Sequence, residues 1–224
     1  MRIETTFLFD MDGTLVDSVY QHVLAWKAAL DAEGIDLSVW RIHRRIGMSG
    51  GLFMNQLVRE LGGTVEPERV ERLRVLHAEA YRAYAGQIRP LPGARALLDW
   101  LTAAGIPWAI ATSARMETAG VNLAVLGLDP ETTPIVTRDM VRYAKPDPDL
   151  FLAAAAKLEA PIEAAVVVGD AVWDMLAAVR ARALGVGLLS GGYGAAELRE
   201  AGAMRVFDDP ADLLAHIDEV GGRR

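Results

Sequence analysis

Phe7-Leu8-Phe9-Asp10-Met11-Asp12-Gly13-Thr14-Leu15-Val16-Asp17 decides how the rest of this chain reads. The apolar run from Thr6 to Phe9 has the length and composition of a short buried strand. It ends in two carboxylates two residues apart, followed by a glycine that permits a tight turn. Acidic side chains at the end of a buried strand are costly unless something pairs with them. A hard divalent cation such as Mg²⁺ takes carboxylate oxygens and is the natural partner. For either aspartate alone, an Asp-Gly turn after a strand is the simpler reading. Three later stretches separate the two readings.

On the carboxyl side of this stretch the pattern is helical. A helix is expected over Val19 to Glu33, with Val23, Leu24, Trp26, Ala29 and Leu30 largely on one side and Gly34 closing it. Further helices are expected over Ser38 to Arg45, Gly51 to Leu61 and Pro67 to Tyr84. The last has proline at its start and Glu66, Glu68 and Glu71 near its amino end, as the helix dipole favours. From residue 18 to 86 nothing reads as a strand. About 70 residues of helix are therefore inserted after the first strand.

Beyond residue 89 strands and helices alternate. Strands are expected at Trp108 to Ala111, Pro134 to Thr137, Ala164 to Val168, Val186 to Leu189 and Arg205 to Phe207. Helices are expected from Pro92-Gly93 to Ala104, then at Met116 to Leu126, Asp149 to Leu158, Trp173 to Ala183, Ala195 to Ala201 and Pro210 to Val220, before a frayed tail from Gly221 to Arg224. Such alternation implies a parallel sheet covered on both faces, an α/β Rossmann-like three-layer core. In such sheets ligands bind at the carboxyl ends of the strands. Asp10 and Asp12, then Thr112 and Ser113, then Asp170 all fall there. The expected domains are a core of residues 1–16 and 89–224 and a helical cap of residues 17–88.

Composition bounds the function. With 224 residues, 52% of them apolar, the chain can bury a full core. It has no cysteine, which excludes disulfides, thiolate nucleophiles and cysteine-ligated zinc and is compatible with a reducing cytosol. There is neither a signal peptide pattern nor a long apolar run, so the expectation is a cytoplasmic protein without a membrane partner, monomeric or homodimeric. The net charge of −7 argues against a nucleic-acid partner. Residues 17–89 hold ten Lys/Arg and nine Asp/Glu, a net of +1, whereas the remainder holds 13 basic and 21 acidic residues, a net of −8. This contrast reads either as an anion-recognising lid over an acidic, metal-binding base or as ordinary solvated helix faces.

Asp10, Asp12, Asp170 and Asp174 cannot all ionise in one place without positive charge. Lys145, just before Pro146-Asp147-Pro148, and one Mg²⁺ would supply about three units. A phosphoryl group brought there would meet a metal, a lysine, a Thr112 hydroxyl and backbone N–H groups, the recurring parts of phosphoryl transfer. One carboxylate of the Asp10/Asp12 pair can attack phosphorus, and the other can move the proton. Asp170 and Asp174, four apart at a helix start, can face one cation.

Asp10-Met11-Asp12-Gly13-Thr14, Thr112, Lys145-Pro146 and Gly169-Asp170-Ala171-Val172-Trp173-Asp174 stand in an order and spacing that resembles the haloacid dehalogenase superfamily, of the kind with a helical cap inserted after the first strand. The resemblance covers essentially the full length. It implies that Asp10 is nucleophile and metal ligand, and that Asp12 is general acid and base with its backbone carbonyl on Mg²⁺. Thr112, with Ser113 beside it, and Lys145 would hold phosphoryl oxygens, Lys145 also restraining Asp10. Asp170 would ligate the metal, and Asp174 would ligate it through water or orient Lys145. The dehalogenase branch lacks an acid at the position of Asp12, so the resemblance points to a phosphatase or phosphotransferase.

Within the superfamily the nearest patterns are the phosphoglycolate phosphatase-like and β-phosphoglucomutase-like enzymes. The leading expectation is a Mg²⁺-dependent phosphatase of a small phosphate ester, with a sugar-phosphate mutase as the alternative. A phosphoaspartate receiver or phosphate-binding module is the alternative from another class, but a long insertion and the acid at Asp12 fit hydrolysis better. His22 matches a position that couples cap closure to catalysis in some mutases, and reads equally as a half-buried helix histidine. Those mutases pair it with a lysine, where this chain has His77, four before Tyr81. Arg45 and Gly47, in the Arg45-Ile46-Gly47-Met48-Ser49-Gly50 loop, resemble a substrate-specificity loop; Arg45 could reach a second anionic group or stay solvated. Arg115 could contact a distal phosphate, or be a solvated helix-start residue.

Overall fold

The computed structural model describes residues 5–60 and 66–222. Among these residues six parallel strands form the central sheet: β1 (Thr6–Phe9), β4 (Trp108–Ala111), β5 (Ile135–Val136), β6 (Ala165–Gly169), β7 (Leu184–Leu188) and β8 (Ala203–Phe207), in the order β5-β4-β1-β6-β7-β8. β1 sits centrally, with Phe9 opposite Ile110 of β4 and Val168 of β6. Burial on both faces explains its unbroken apolar run. Phe7 and Phe9 enter one core with Ile110, Val166 and Val168. Leu8 points the other way, with Ala109, Val167 and Phe151.

α5 (Ala94–Ala103), α6 (Met116–Leu126) and α10 (Pro210–Ala215) contribute to the first core, α7 (Asp149–Lys157) and α8 (Val172–Ala181) to the second. α9 (Ala195–Glu200) packs beside β7 and β8. The expected alternation and fold class are therefore present.

Among the described residues four helices intervene after β1: α1 (Val19–Ala32), α2 (Val39–His43), α3 (Gly50–Glu60) and α4 (Pro67–Ala83). They carry a core of their own, built on Val23, Trp26, Leu30, Ile42, Phe53, Leu57 and Leu73. The chain leaves and re-enters the sheet layer through an antiparallel ribbon, β2 (Val16–Asp17) with β3 (Arg89–Pro90), which pairs Val16 with Pro90 and Asp17 with Arg89. Periodicity cannot reveal a ribbon of two residues a side.

Several boundaries move. β7 starts at Leu184 rather than Val186, and the helix expected over Pro210 to Val220 ends at Ala215, with a 3₁₀ turn from Ile217 to Val220. The expected helix end at Leu61 and the last two residues of the expected frayed tail lie outside the described residues. Among the described residues no helix is long and apolar enough to cross a membrane.

Candidate active site

Parallel pairing brings the carboxyl ends of β1, β4 and β6 to one edge. Asp10 follows β1, its N–H held by the Val168 carbonyl at 2.9 Å. Thr112 follows β4, its N–H held by Val136 at 3.0 Å, and its Oγ1 accepts the Ala114 N–H at 3.0 Å. Asp170 follows β6, where Thr14 Oγ1 donates to its Oδ1 at 3.0 Å. Gly13 is required where it stands. Its φ is +80°, and a Cβ there would lie 2.5 Å from Asp170 Oδ2.

Lys145 is fully buried, with Nζ 2.5 Å from Asp10 Oδ1 and 2.7 Å from Asp174 Oδ1. Burial opposes its charge, but the two carboxylates outweigh burial and push the ammonium up to about 12. Asp174 Oδ2 accepts the Ala171 N–H at 3.0 Å, which fixes the carboxylate at the start of α8. Burial, reinforced by repulsion from Asp174 and Asp12 and offset in part by Lys145, raises Asp10 to about 7. Burial, with Asp174 and Asp10 adding to it, raises Asp170 well above the usual carboxylate range.

One lysine cannot balance three buried carboxylates. Asp10, Asp170 and Asp174 each offer an oxygen, and these oxygens all lie within 4.8 Å of one another. Hard oxygen donors with excess negative charge fit a divalent cation.

Asp12 is held differently. Its Oδ1 accepts from Ser18 Oγ at 2.6 Å, Asn122 Nδ2 at 2.6 Å and His22 Nε2 at 3.1 Å. Burial pushes its carboxyl up, but the His22 and Ser18 interactions prevail and hold it below the usual range. One oxygen is thus tied by three donors. His22 continues to α4, with Nδ1 3.1 Å from His77 Nε2 and its ring stacked on Tyr81 at 3.9 Å. Tyr81 donates to Asn122 Oδ1 at 2.7 Å. Burial, with neighbouring His22 adding to it, holds His77 well below its usual range.

The Asp10 and Asp12 side chains face a cavity of about 340 Å³. Thr112, Ser113, Arg115 and Arg138 line it from the sheet side, and His22, Trp26, Arg45, Gly47, Phe53, Arg74 and His77 from the helical insertion. His22, Arg45, Gly47 and His77, the residues of the helical insertion singled out as candidates in the sequence, therefore line the same cavity as Asp10 and Asp12. Lys145, Asp170 and Asp174 lie behind it, in the buried carboxylate cluster. The loop after α2 clasps the sheet layer: the Arg44 carbonyl accepts from Tyr193 Oη at 2.9 Å and Trp173 Nε1 at 3.3 Å, and Ser49 N–H donates to the Lys145 carbonyl at 2.9 Å. Gly191 packs against Asp170: a Cβ there would fall 1.7 Å from Asp170 Oδ2.

Sequence reasoning missed Thr14, Ser18, Asn122 and Arg138. For Asn122 a signal existed, since it is a single amide on the buried face of α6, among Ala119, Leu123 and Leu126. Thr14 stands within the Asp10-Met11-Asp12-Gly13-Thr14 motif, whereas Ser18 and Arg138 carry no pattern of their own.

The haloacid dehalogenase-like hydrolase model matches residues 4–182. Hexitol phosphatase A of Escherichia coli K12 is 36% identical over 178 residues, covering 78% of each chain. The phosphoglycolate phosphatase of Agrobacterium fabrum is 30% identical over 214 residues, 95% of this chain and 91% of that one. The crystal structure of a hydrolase from Pseudomonas syringae superposes with a TM-score of 0.96 at 58% identity, covering 98% of this chain and all of that one. The chain belongs to the haloacid dehalogenase-like hydrolase family. The expectation of an enzyme of the phosphatase class stands with that membership.

Proposed function

We propose that this enzyme is a Mg²⁺-dependent phosphomonoesterase that hydrolyses a small organic phosphate ester through an aspartyl-phosphate on Asp10, in the cytoplasm. The observation that carries this reading is the pairing of two differently held carboxylates at one cavity. Asp10 is clamped through Oδ1 by Lys145, and Asp12 is tied through Oδ1 by three donors. Each keeps its second oxygen for chemistry.

An Asp10 oxygen attacks phosphorus while the bond from phosphorus to the ester oxygen breaks. The leaving alkoxide takes its proton from Asp12. Water then attacks phosphorus, Asp12 accepts the water's proton, and the acyl-phosphate bond breaks to release inorganic phosphate and free Asp10. Asp12 rests as the carboxylate, the form that the second half uses. A phosphate dianion entering beside it raises its proton affinity, the form that the first half uses. Lys145, Thr112 and Ser113 hold phosphoryl oxygens. Asp10, Asp170, Asp174 and the Asp12 carbonyl would hold Mg²⁺, which when bound supplies the positive charge that lets a carboxylate and a phosphate dianion approach.

Residues 17–88 act in this reading as a lid whose inner wall reads the substrate. Phosphate release from p-nitrophenyl phosphate, with Mg²⁺ and with EDTA, tests the proposal. Release that requires Mg²⁺ is expected. Release unaffected by EDTA, or absent from folded protein with Mg²⁺, contradicts it.

A further inference from the structure

We infer that the substrate is a sugar-sized phosphate ester with a second anionic group remote from the reacting phosphate, and that Arg138 binds that group. The inference rests on the phosphatase reading and fills the part of the cavity which that reading leaves unassigned.

Size is the first argument. About 340 Å³ is enough to enclose a ligand of several carbons, whereas a two-carbon ester would leave most of it to water. Trp26, Phe53, Met48 and Val70 supply apolar wall for a carbon skeleton.

Charge is the second. Lys145, Thr112 and the metal cluster already serve the reacting phosphate. The remaining cations along the wall are arginines, and most are engaged. Arg115 Nη1 lies 2.8 Å from Asp139 Oδ1, and Arg74 Nη1 lies 2.5 Å from Glu71 Oε2. Arg45 Nη1 donates to the Arg41 carbonyl at 2.6 Å. Among the described residues the one wall carboxylate besides Asp10 and Asp12 is Glu117, and it is paired with Arg82.

Arg138 differs from Arg74 and Arg115. It is half-buried, its Nη1 donates to the neutral Val141 carbonyl at 2.7 Å, and among the described residues it forms no ion pair. A guanidinium carries five N–H donors in a planar fork that matches an oxyanion. Its backbone N–H donates to the Ala114 carbonyl at 3.0 Å, which ties it to the loop that follows Thr112. A cation so placed suits a second anion on the molecule whose phosphate that loop holds. A carboxylate and a second phosphate present the same chemistry to it.

6-Phosphogluconate and glucitol 6-phosphate separate these terms, because they differ only in a carboxylate against a hydroxymethyl group at the far carbon. Fructose 1,6-bisphosphate against fructose 6-phosphate does the same for a second phosphate. With Mg²⁺, the wild type is expected to favour the member with the anionic tail in at least one pair by about tenfold in kcat/KM. Arg138→Gln should bring that ratio close to one, chiefly through KM, and Arg138→Lys should restore part of it. A merely structural role would lower both members of a pair alike and leave the ratio unchanged, which would overturn the inference, as would a wild type with no preference in either pair.

Thermal stabilisation by the same esters without added metal gives a readout apart from turnover. Ester-selective stabilisation that Arg138→Gln removes, in a protein that releases no phosphate from any ester with Mg²⁺, would overturn the phosphatase reading and keep the anion site. Turnover of p-nitrophenyl phosphate without any selectivity would do the reverse.

Discussion

Asn122 Nδ2 donates to Asp12 Oδ1 at 2.6 Å, and the same amide accepts the Tyr81 hydroxyl at 2.7 Å. A helix of the insertion is thereby joined to the proposed general acid through a helix of the sheet layer. Asn122 and Tyr81 are both fully buried, so neither bond has water as a substitute. Asn122→Leu leaves a carboxylate oxygen and a phenol short of a partner. It should cost about 2–3 kcal/mol of stability and lower kcat about tenfold or more. Tyr81→Phe removes one neutral bond and should cost about 1 kcal/mol. Urea denaturation and steady-state kinetics check both. A kcat for Asn122→Leu equal to wild type would show that the amide does not position Asp12.

Lys145 lies between Asp10 and Asp174 with no exposed surface. Removing one partner of a buried ion pair leaves uncompensated charge and costs about 3–5 kcal/mol. Lys145→Met should be destabilised by about that amount, and Mg²⁺ should raise its melting temperature more than it raises that of the wild type. Equal metal-induced shifts would show that the ammonium and a cation do not share the neutralisation of this cluster.

Gly191 approaches Asp170 too closely for any side chain. Gly191→Ala must displace the Asp170 carboxylate or the loop. Asp170 is a proposed metal ligand, and changes next to such a ligand commonly weaken metal affinity about 10- to 100-fold. The Mg²⁺ concentration for half-maximal activity should therefore rise by about tenfold or more. An unchanged value would remove Asp170 from the ligand set.

His77 makes stability depend on pH. It is stacked on Trp26 at 4.2 Å and faces His22 and Tyr81, with Asp12 the nearby acid. Its folded proton affinity lies below its unfolded one, so the unfolded chain binds more protons and stability rises with pH. The contribution is complete above about pH 6.5, the unfolded value, and is lost as pH falls toward the folded one. His77→Phe should flatten the stability profile of the protein below pH about 6.5. Denaturation midpoints that fall equally in both proteins would contradict this origin.

The sheet and its acidic edge were legible because each rests on local pattern. Thr6–Phe9 and Ala165–Gly169 are unbroken apolar runs that end in aspartate or Gly-Asp, and parallel pairing must bring those ends together. The ribbon of Val16 with Pro90 was not legible, since two-residue strands have no period and their partners lie far apart in sequence. Asp12's partners divide in the same way. His22 stands at a recognisable offset, whereas Ser18 and Asn122 are commonplace residues until the fold places them. Arg138 is one arginine among many in the sequence, and only the partners around the cavity set it apart.

In the proposed reaction Asp10 forms a covalent phosphoryl intermediate. Acid-quenched mass spectrometry of the enzyme during turnover of p-nitrophenyl phosphate with Mg²⁺ tests it most directly. One phosphoryl group is expected on the peptide that carries Asp10. Asp10→Asn is expected to fold normally, to carry no such group and to release no phosphate. Full phosphate release by Asp10→Asn, or a phosphoryl group trapped on a different residue, would contradict it.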